Sequence, residues 1–257
     1  MRTSHLIPLV AFLLAPVALA AGDDELKERK ESAKLIAKKL ASKNDEEVFT
    51  GLHEAALNQD PVLTTPLTKL LKNKNTALRY GAIETLGTRT LEAERRQAAR
   101  SLAARLKPLA VKENDREELL KVIQALHDLA QESTIKALLD SKNEEDRDVR
   151  QARAMAVANV PTKEAIDRLI QYGYKDKRGA GRTRDIAVKA LRYATGEQLK
   201  GGIEVWRKWW SDNEKSFDPV AAADARKGKR TAEADKAAKR AERKKKQKEK
   251  RDRKKKE

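Results

Sequence analysis

The chain has 257 residues, of which 38% are charged and 4% aromatic, and its formal net charge is +17 at neutral pH. It contains no cysteine, which excludes disulfides, metal thiolates, cysteine nucleophiles and a lipid-modified N-terminal cysteine. The charge is uneven, because residues 224–257 hold 18 lysine or arginine and 7 aspartate or glutamate residues. The high net charge therefore belongs mainly to a tail, and the about 200 residues before it suffice for one core or one extended array.

The first 20 residues have the pattern of a secretory signal peptide. Arg2 gives a positive start, residues 6–20 are apolar, and Ala18-Leu19-Ala20 matches a small-residue cleavage site. A membrane anchor is the alternative, but a spanning helix needs about 20 apolar residues and this run is shorter. We predict cleavage after Ala20 and export to a periplasmic or extracellular location, and the absence of cysteine favours a bacterial protein.

From residue 22 to 217, apolar residues recur at helical spacing and no run alternates with the period of a β-strand. A charged helix is predicted over 21–44. The next helix begins after Asn44-Asp45-Glu46-Glu47, a typical cap, because the asparagine oxygen accepts from free amides and the acids suit the helix dipole. The sequence therefore predicts an all-α fold.

Several helices within 45–217 share one plan. An apolar residue and an arginine open it, small residues fill the middle, and an apolar–small pair closes it. Residues 78–87 (LRYGAIETLG) and 149–158 (VRQARAMAVA) follow the plan closely, and 183–192 and 118–127 follow it loosely. The aligned positions are Leu57, Leu86, Leu126, Val157 and Leu191.

The aligned positions are 29, 40, 31 and 34 residues apart, which suits two helices and two turns per unit. Because one helical hairpin cannot bury its apolar face alone, the units are predicted to stack into an α-solenoid. An ordinary helical bundle with coincidental spacing is the alternative.

This plan resembles HEAT-type repeats, particularly the short HEAT-like repeats related to those of phycobilisome lyases. Residues 191–196 (LRYATG) followed by 206–210 (WRKWW) are similar to an ending of exported bacterial HEAT-like proteins common in planctomycetes. That ending runs L-x-x-L-T-G and then W-x-x-W-W, and here Ala194 replaces the second leucine. The resemblance covers 45–217 and implies an armadillo-like solenoid with a scaffold role, without lyase activity, because no segment matches a bilin-binding site.

All three tryptophans lie on a helix predicted over 203–213, after two glycines. Its apolar face contains Ile203, Trp206 and Trp210, with Trp209 alongside. The end of a solenoid exposes apolar surface that needs a cap. We predict that this helix is the cap, with Trp209 partly exposed and Phe217 folded back on it. The alternative is a stacking platform for sugar rings or nucleobases.

Residues 175–184 (KDKRGAGRTR) form a basic segment with two glycines before a predicted helix. Amides at a helix N-terminus favour anions, and arginine side chains hold phosphate or carboxylate with two hydrogen bonds. The candidate anion-binding residues are Lys177, Arg178, Arg182 and Arg184. In the alternative interpretation, Gly179 and Gly181 only turn the chain.

The segment 218–257 has almost no large apolar residues and is predicted to be a disordered tail or a single solvated helix. Basic clusters at 243–246 and 254–256 would attract anionic surfaces. Behind a signal peptide, these would be anionic lipid, cell-wall polymer or extracellular DNA. A charged extension that keeps the protein soluble is the alternative.

The sequence predicts no catalytic residue, metal ligand or cofactor. After cleavage the histidines are His53 and His127, and neither has ligand spacing; His127 precedes Asp128, but neighbours on a helix are expected not to face each other. No nucleophile elbow, zinc-protease or phosphate-loop motif occurs. The acid clusters at 113–115 and 144–146 are predicted to be caps and solvated turns.

The predicted function is a non-enzymatic scaffold that binds a protein partner along the helical array. The first alternative is a binder of anionic polymer or membrane surface that acts through the basic tail. The second is an enzyme or accessory subunit with a site in the groove of the array.

Overall fold

The structure, a computed structural model, describes residues 23–109, 116–140, 146–175 and 182–229, together with positions 231, 232, 236 and 240. All regular structure within these ranges is helical, which confirms the predicted all-α class. The helices are α1 Asp23–Leu40, α2 Asp45–Leu57, α3 Thr64–Leu70, α4 Thr76–Gly87, α5 Glu92–Leu109, α6 Arg116–Leu129, α7 Ile135–Leu139, α8 Arg147–Ala158, α9 Lys163–Lys175, α10 Arg182–Thr195, α11 Ile203–Asn213 and α12 over 219–229. Short 3-10 turns, Pro61–Leu63 and Glu132–Thr134, precede α3 and α7.

Polar caps fix several helix starts. Asn44 accepts a hydrogen bond from the Glu46 amide at the start of α2, as the sequence predicts. Asp146, from the predicted 144–146 cap, accepts from the amides of Asp148 and Val149 at the start of α8. The other predicted acidic turn, 113–115, lies outside the described residues.

The helices form two rows. In the even row, α2, α4, α6, α8 and α10 each contact the next, and in the odd row α1, α3, α5, α7, α9 and α11 do the same. From α1 to α10, each odd helix also packs against the even helix that follows it. The hydrophobic core lies between the rows, so the outward face of the even row is a continuous surface built from successive helices.

Four of the five positions that the sequence alignment matches are buried. The side chains of Leu86, Leu126, Val157 and Leu191 are fully buried. The prediction is wrong at the fifth position, because Leu57 is 74% exposed. The corresponding buried position on α2 is Ala55, and Leu57 lies two residues later, about 200° further around the helix.

Beneath the even row, a buried carboxylate joins three helices. Glu118 on α6 is 1% exposed. Its carboxylate lies 2.9 Å from Arg79 Nη2 on α4 and 2.6 Å from Arg105 Nη2 on α5. Removing one partner of a buried ion pair typically costs about 3–5 kcal/mol, because the remaining charge loses its compensation. This triad fixes the relative positions of α4, α5 and α6.

Arginines from other helices and loops bond to the carbonyl ends of three even-row helices. The pairs are Arg89 with the carbonyls of Ala55 and Asn58, Arg95 with that of Leu129, and Arg226 with those of Tyr193 and Ala194. Burial lowers the pKa of Arg89 to about 10, so this side chain remains a cation at neutral pH. Positive charge at a helix C-terminus is favourable, and these contacts tie the C-terminal ends of α2, α6 and α10 to other segments.

No helix within the described part of the chain is long and apolar enough to cross a membrane.

Candidate functional site

A groove of about 610 Å³ crosses the outward face of the even row at α2, α4 and α6. Its residues come from three successive helices rather than from one loop. The lining residues are Leu52, His53 and Ala56 from α2, Gly81, Glu84, Thr85 and Gly87 from α4 with Thr88 after it, and Lys121, Gln124, Ala125 and Asp128 from α6.

Two glycines of α4 let its neighbours approach closely along the groove. A Cβ atom added at Gly81 would lie 2.8 Å from Leu52 Cδ1, and one added at Gly87 would lie 3.0 Å from Ala125 Cβ. Distances this short require the neighbouring atoms to move. The groove floor therefore consists of small or apolar groups. A side chain at Gly81 would displace the end of the Leu52 side chain, and one at Gly87 would meet both the Cβ and the Cα atom of Ala125.

The rim of the groove is polar. Lys121 Nζ lies 2.6 Å from Glu84 Oε1 and 5.1 Å from the centre of the Tyr80 ring. Burial raises the pKa of the Tyr80 phenol above its usual range, and the nearby carboxylates of Glu117 and Glu118 raise it further. The phenol is therefore neutral at physiological pH, and Lys121 is held between a carboxylate and an aromatic face.

Asp128 forms the other acidic part of the rim. Its carboxylate accepts a hydrogen bond from Gln124 Nε2 at 2.9 Å, and His127 Nδ1 lies 3.0 Å from it. The expectation that His127 and Asp128 would not face each other is wrong. The two side chains meet although neighbouring residues of a helix do not share a face.

The predicted anion-binding residues are not brought together by the described part of the structure. Lys177 and Arg178 lie outside it, and for Arg182 only its place as the first residue of α10 is described. Arg184 is exposed and lies 3.8 Å from Glu204 on α11. The anion site over 175–184 therefore stays a prediction.

The tryptophan helix α11, the last helix of the odd row, packs on α9 and α10. Trp206 is fully buried, and Trp210 is buried and donates a hydrogen bond from Nε1 to Asp167 Oδ1 at 2.6 Å. Trp209 is partly buried, and its ring centre lies 5.6 Å from that of Phe217. Phe217 also meets Trp210 edge-on, so the expected return of Phe217 to the cluster is confirmed.

The first part of the basic tail is helical and contacts the helical rows. Ala223 of α12 is buried, and the Arg226 guanidinium lies 4.1 Å from the centre of the Tyr193 ring. A second cavity, of about 570 Å³, lies between α12, α5 and the turns after α6 and α8. The described start of the tail therefore has a defined place against the helical rows, whereas both basic clusters, 243–246 and 254–256, lie outside the described residues.

Among the residues that the structure describes, no three or more histidine, aspartate or glutamate side chains are grouped to hold a metal ion. His53 lies at the groove, and His127 lies beside Asp128 on α6.

The groove residues themselves were not singled out by the sequence pattern. The small residues in the middle of the shared sequence plan predict close packing, and at Gly81 the contact with Leu52 is close. The same residues also leave the outward face concave, which only the arrangement of three helices reveals.

Comparison with known proteins gives no family for this chain: no protein-family model matches it, and a search of curated protein sequences finds no significant relative.

Proposed function

We propose that this chain is a HEAT-like α-solenoid that acts as a non-enzymatic scaffold and binds a protein partner along its even row. Two continuous rows of helices and the shared register of Leu86, Leu126, Val157 and Leu191 support the solenoid. In repeat arrays each unit contacts only its neighbours, and the stacked faces form extended binding surfaces.

The observation that carries this proposal is the groove across α2, α4 and α6. It crosses three successive helices, and its volume of about 610 Å³ lies in the range of binding clefts. Its floor of small and apolar groups and its rim of Glu84, Lys121 and Asp128 have the anatomy of a protein interface, with an apolar centre and a polar edge.

The rim supports the binding of a partner. Glu84 of α4 and Lys121 of α6 pair with each other across two helices, and Asp128 lies on the same groove. We propose that these side chains fix the orientation of a partner.

The proposed location is outside the cytoplasm, after cleavage behind Ala20. The signal-like pattern of the first 20 residues is the support for this. Mass spectrometry of the protein recovered from extracytoplasmic fractions tests this location. Cleavage after Ala20 would leave Ala21 as the first residue.

A second candidate function is binding to an anionic polymer or membrane surface through the basic tail. The net charge of +11 over 224–257 favours it. The two functions are compatible, because α12 joins the tail to the helical rows through Arg226.

The test is affinity capture with a groove-blocking variant. Ala56→Trp fills the groove from the partly exposed floor of α2, and Ala104→Trp places the same side chain on the exposed surface of α5 as a control. A third protein ends at residue 229 and therefore keeps α12 but lacks the rest of the tail. Capture by all three proteins is compared at low and at high salt. The scaffold function requires partners that Ala104→Trp retains and Ala56→Trp loses.

If capture survives Ala56→Trp but disappears with the tail or in high salt, the proposed scaffold function is wrong and the tail is the binding element. Salt dependence identifies that outcome, because contacts between exposed charges weaken as salt screens them.

A further inference from the structure

The outward face of the even row combines carboxylates and aromatic rings along its first three helices. Residues three or four apart on a helix share one face, and each helix contributes such a set beside the groove. This acidic stripe contains Glu46, Phe49 and His53 on α2, Tyr80 and Glu84 on α4, and Glu117, Lys121, Gln124 and Asp128 on α6. The stripe therefore has four carboxylates and one lysine.

Three of these carboxylates form no ion pair with a lysine or arginine in the described part of the chain. Glu84 pairs with Lys121. Glu46, Glu117 and Asp128 are exposed and form no ion pair there with a lysine or arginine. The partners of Asp128 are the side chains next to it on α6, Gln124 and His127. The stripe thus keeps negative charge that a ligand can use.

The protein already holds one lysine on this stripe. Lys121 lies 2.6 Å from the Glu84 carboxylate and 5.1 Å from the Tyr80 ring centre, an arrangement that combines an ion pair with a cation–π contact. The same combination of groups recurs on α2, where the exposed Phe49 lies three residues after Glu46. A lysine or arginine of a ligand can occupy that second position.

The charge of the even row reverses along its length. The helices α2, α4 and α6 together carry eight carboxylates and three lysine or arginine residues, whereas α8 and α10 carry two carboxylates and seven. The groove therefore lies in an acidic region of a chain whose net charge is +17. Complementary charge draws a ligand to such a region and sets its orientation.

We infer that the groove and the acidic stripe bind a lysine- or arginine-rich segment of a partner protein. Small apolar side chains of that segment occupy the groove, and its cationic side chains lie against Asp128 and between Glu46 and Phe49. This inference rests on the proposed function, because it gives the chemistry of the partner for the same groove.

The test uses two fluorescent peptides of equal length with the same alanine and leucine positions. One carries lysine at its charged positions and the other carries glutamate, and binding to the chain from residue 21 to 257 is followed by fluorescence anisotropy. The lysine peptide is expected to bind despite the positive net charge of the protein, and Ala56→Trp should abolish binding while Ala104→Trp leaves it unchanged.

A second pair of variants tests the stripe itself. Glu46→Gln with Asp128→Asn should weaken the lysine peptide about fivefold, since exposed charge contacts contribute up to about 1 kcal/mol. The matched control neutralises two exposed acids elsewhere, Asp185→Asn on α10 with Asp212→Asn on α11, and should leave its affinity unchanged.

The inference is overturned if the glutamate peptide binds in the groove as tightly as the lysine peptide. It is also overturned if the Glu46 and Asp128 variant binds like the unchanged chain, or if neither peptide binds. In each case the scaffold function would still be supported if affinity capture of a partner is lost with Ala56→Trp. Only the inference that the partner is cationic would then be wrong.

Discussion

The two ends of the helical rows differ in how their apolar side chains are covered. At the C-terminal end, α11 covers the last helices with Trp206 and Trp210, both buried. At the N-terminal end, Leu35 of α1 is 60% exposed and Leu57 of α2 is 74% exposed. Lys39 and Glu54 form an ion pair between these helices. Leu35 lies one helical turn from Lys39, and Leu57 lies one helical turn from Glu54.

This difference gives the two rows of helices a direction. Helices inside a row have neighbours on both sides, whereas the first and the last helix of a row have a neighbour on one side. At the C-terminal end, the large apolar rings of α11 pack on the neighbouring helices. At the N-terminal end, an ion pair lies between the two exposed leucines. We therefore expect the helices near α11 to open less readily than α1 and α2, because local stability follows buried apolar contact.

The largest expected effect is at the closed end. Trp206→Ala should lower the free energy of unfolding by about 3–5 kcal/mol, because it removes a fully buried ring and leaves a cavity. Urea unfolding followed by far-UV circular dichroism measures this. Leu57→Ala is the control and should change it by no more than about 0.5 kcal/mol. Equal effects at the two ends would remove the distinction between them.

A smaller effect is expected from the polar contact of the cap. Asp167→Ala removes the acceptor for Trp210 Nε1, and a buried donor left without a partner costs about 1–3 kcal/mol. The same unfolding experiment checks it, with Asp212→Ala on the exposed surface of α11 as the control. A loss no greater than that of the control would mean that ring packing alone holds the cap.

Between the ends, a pH-dependent contact couples α6 to α8. The hydrogen bond from Arg116 holds the pKa of the Asp146 carboxyl below its ordinary value of 3.8, with help from the amides of Val149 and Asp148. A lowered pKa contributes stability above pH 3.8 that is lost as the pH falls through the lowered value.

Asp146→Asn should therefore lower the free energy of unfolding by about 0.5–1 kcal/mol at neutral pH. The difference from the unchanged chain should shrink as the solution is acidified below the pKa of the carboxyl. Unfolding curves at several pH values test this, and a difference that persists in acid would contradict an electrostatic cause.

The smallest effect is expected at the open end. Leu35→Gln with Leu57→Gln should leave the free energy of unfolding within about 0.5 kcal/mol, because substitutions at exposed positions remove little buried surface. A loss of more than about 1 kcal/mol, measured over a range of protein concentrations, would show that these leucines are covered in solution. That result would mean that apolar side chains are covered at both ends of the rows.

Much of the architecture was predictable because helical spacing encodes it. The register of four even-row helices follows from apolar residues that recur with the helical period, and α11 begins at Ile203 after its glycines as expected. The alignment is wrong at Leu57 because this leucine has the same apolar character as the core leucines but lies two residues after the buried Ala55, on another face of α2.

Contacts between distant segments could not be predicted in the same way. Glu118 lies in the acidic first turn of α6, a common place for a surface acid, and its burial depends on Arg79 and Arg105 from two other helices. The groove has the same origin, because its rim joins Glu84 of α4 to Lys121 and Asp128 of α6. Only the packing of the rows decides which charged residues meet.

The arginines at the helix ends have a consequence for divergence during evolution. Arg89, Arg95 and Arg226 bond to main-chain carbonyls, which every amino acid provides. The accepting positions can therefore mutate freely while the bond is retained, provided that the arginine stays. A stack of helices joined in this manner can diverge widely in sequence and still keep its helices in place.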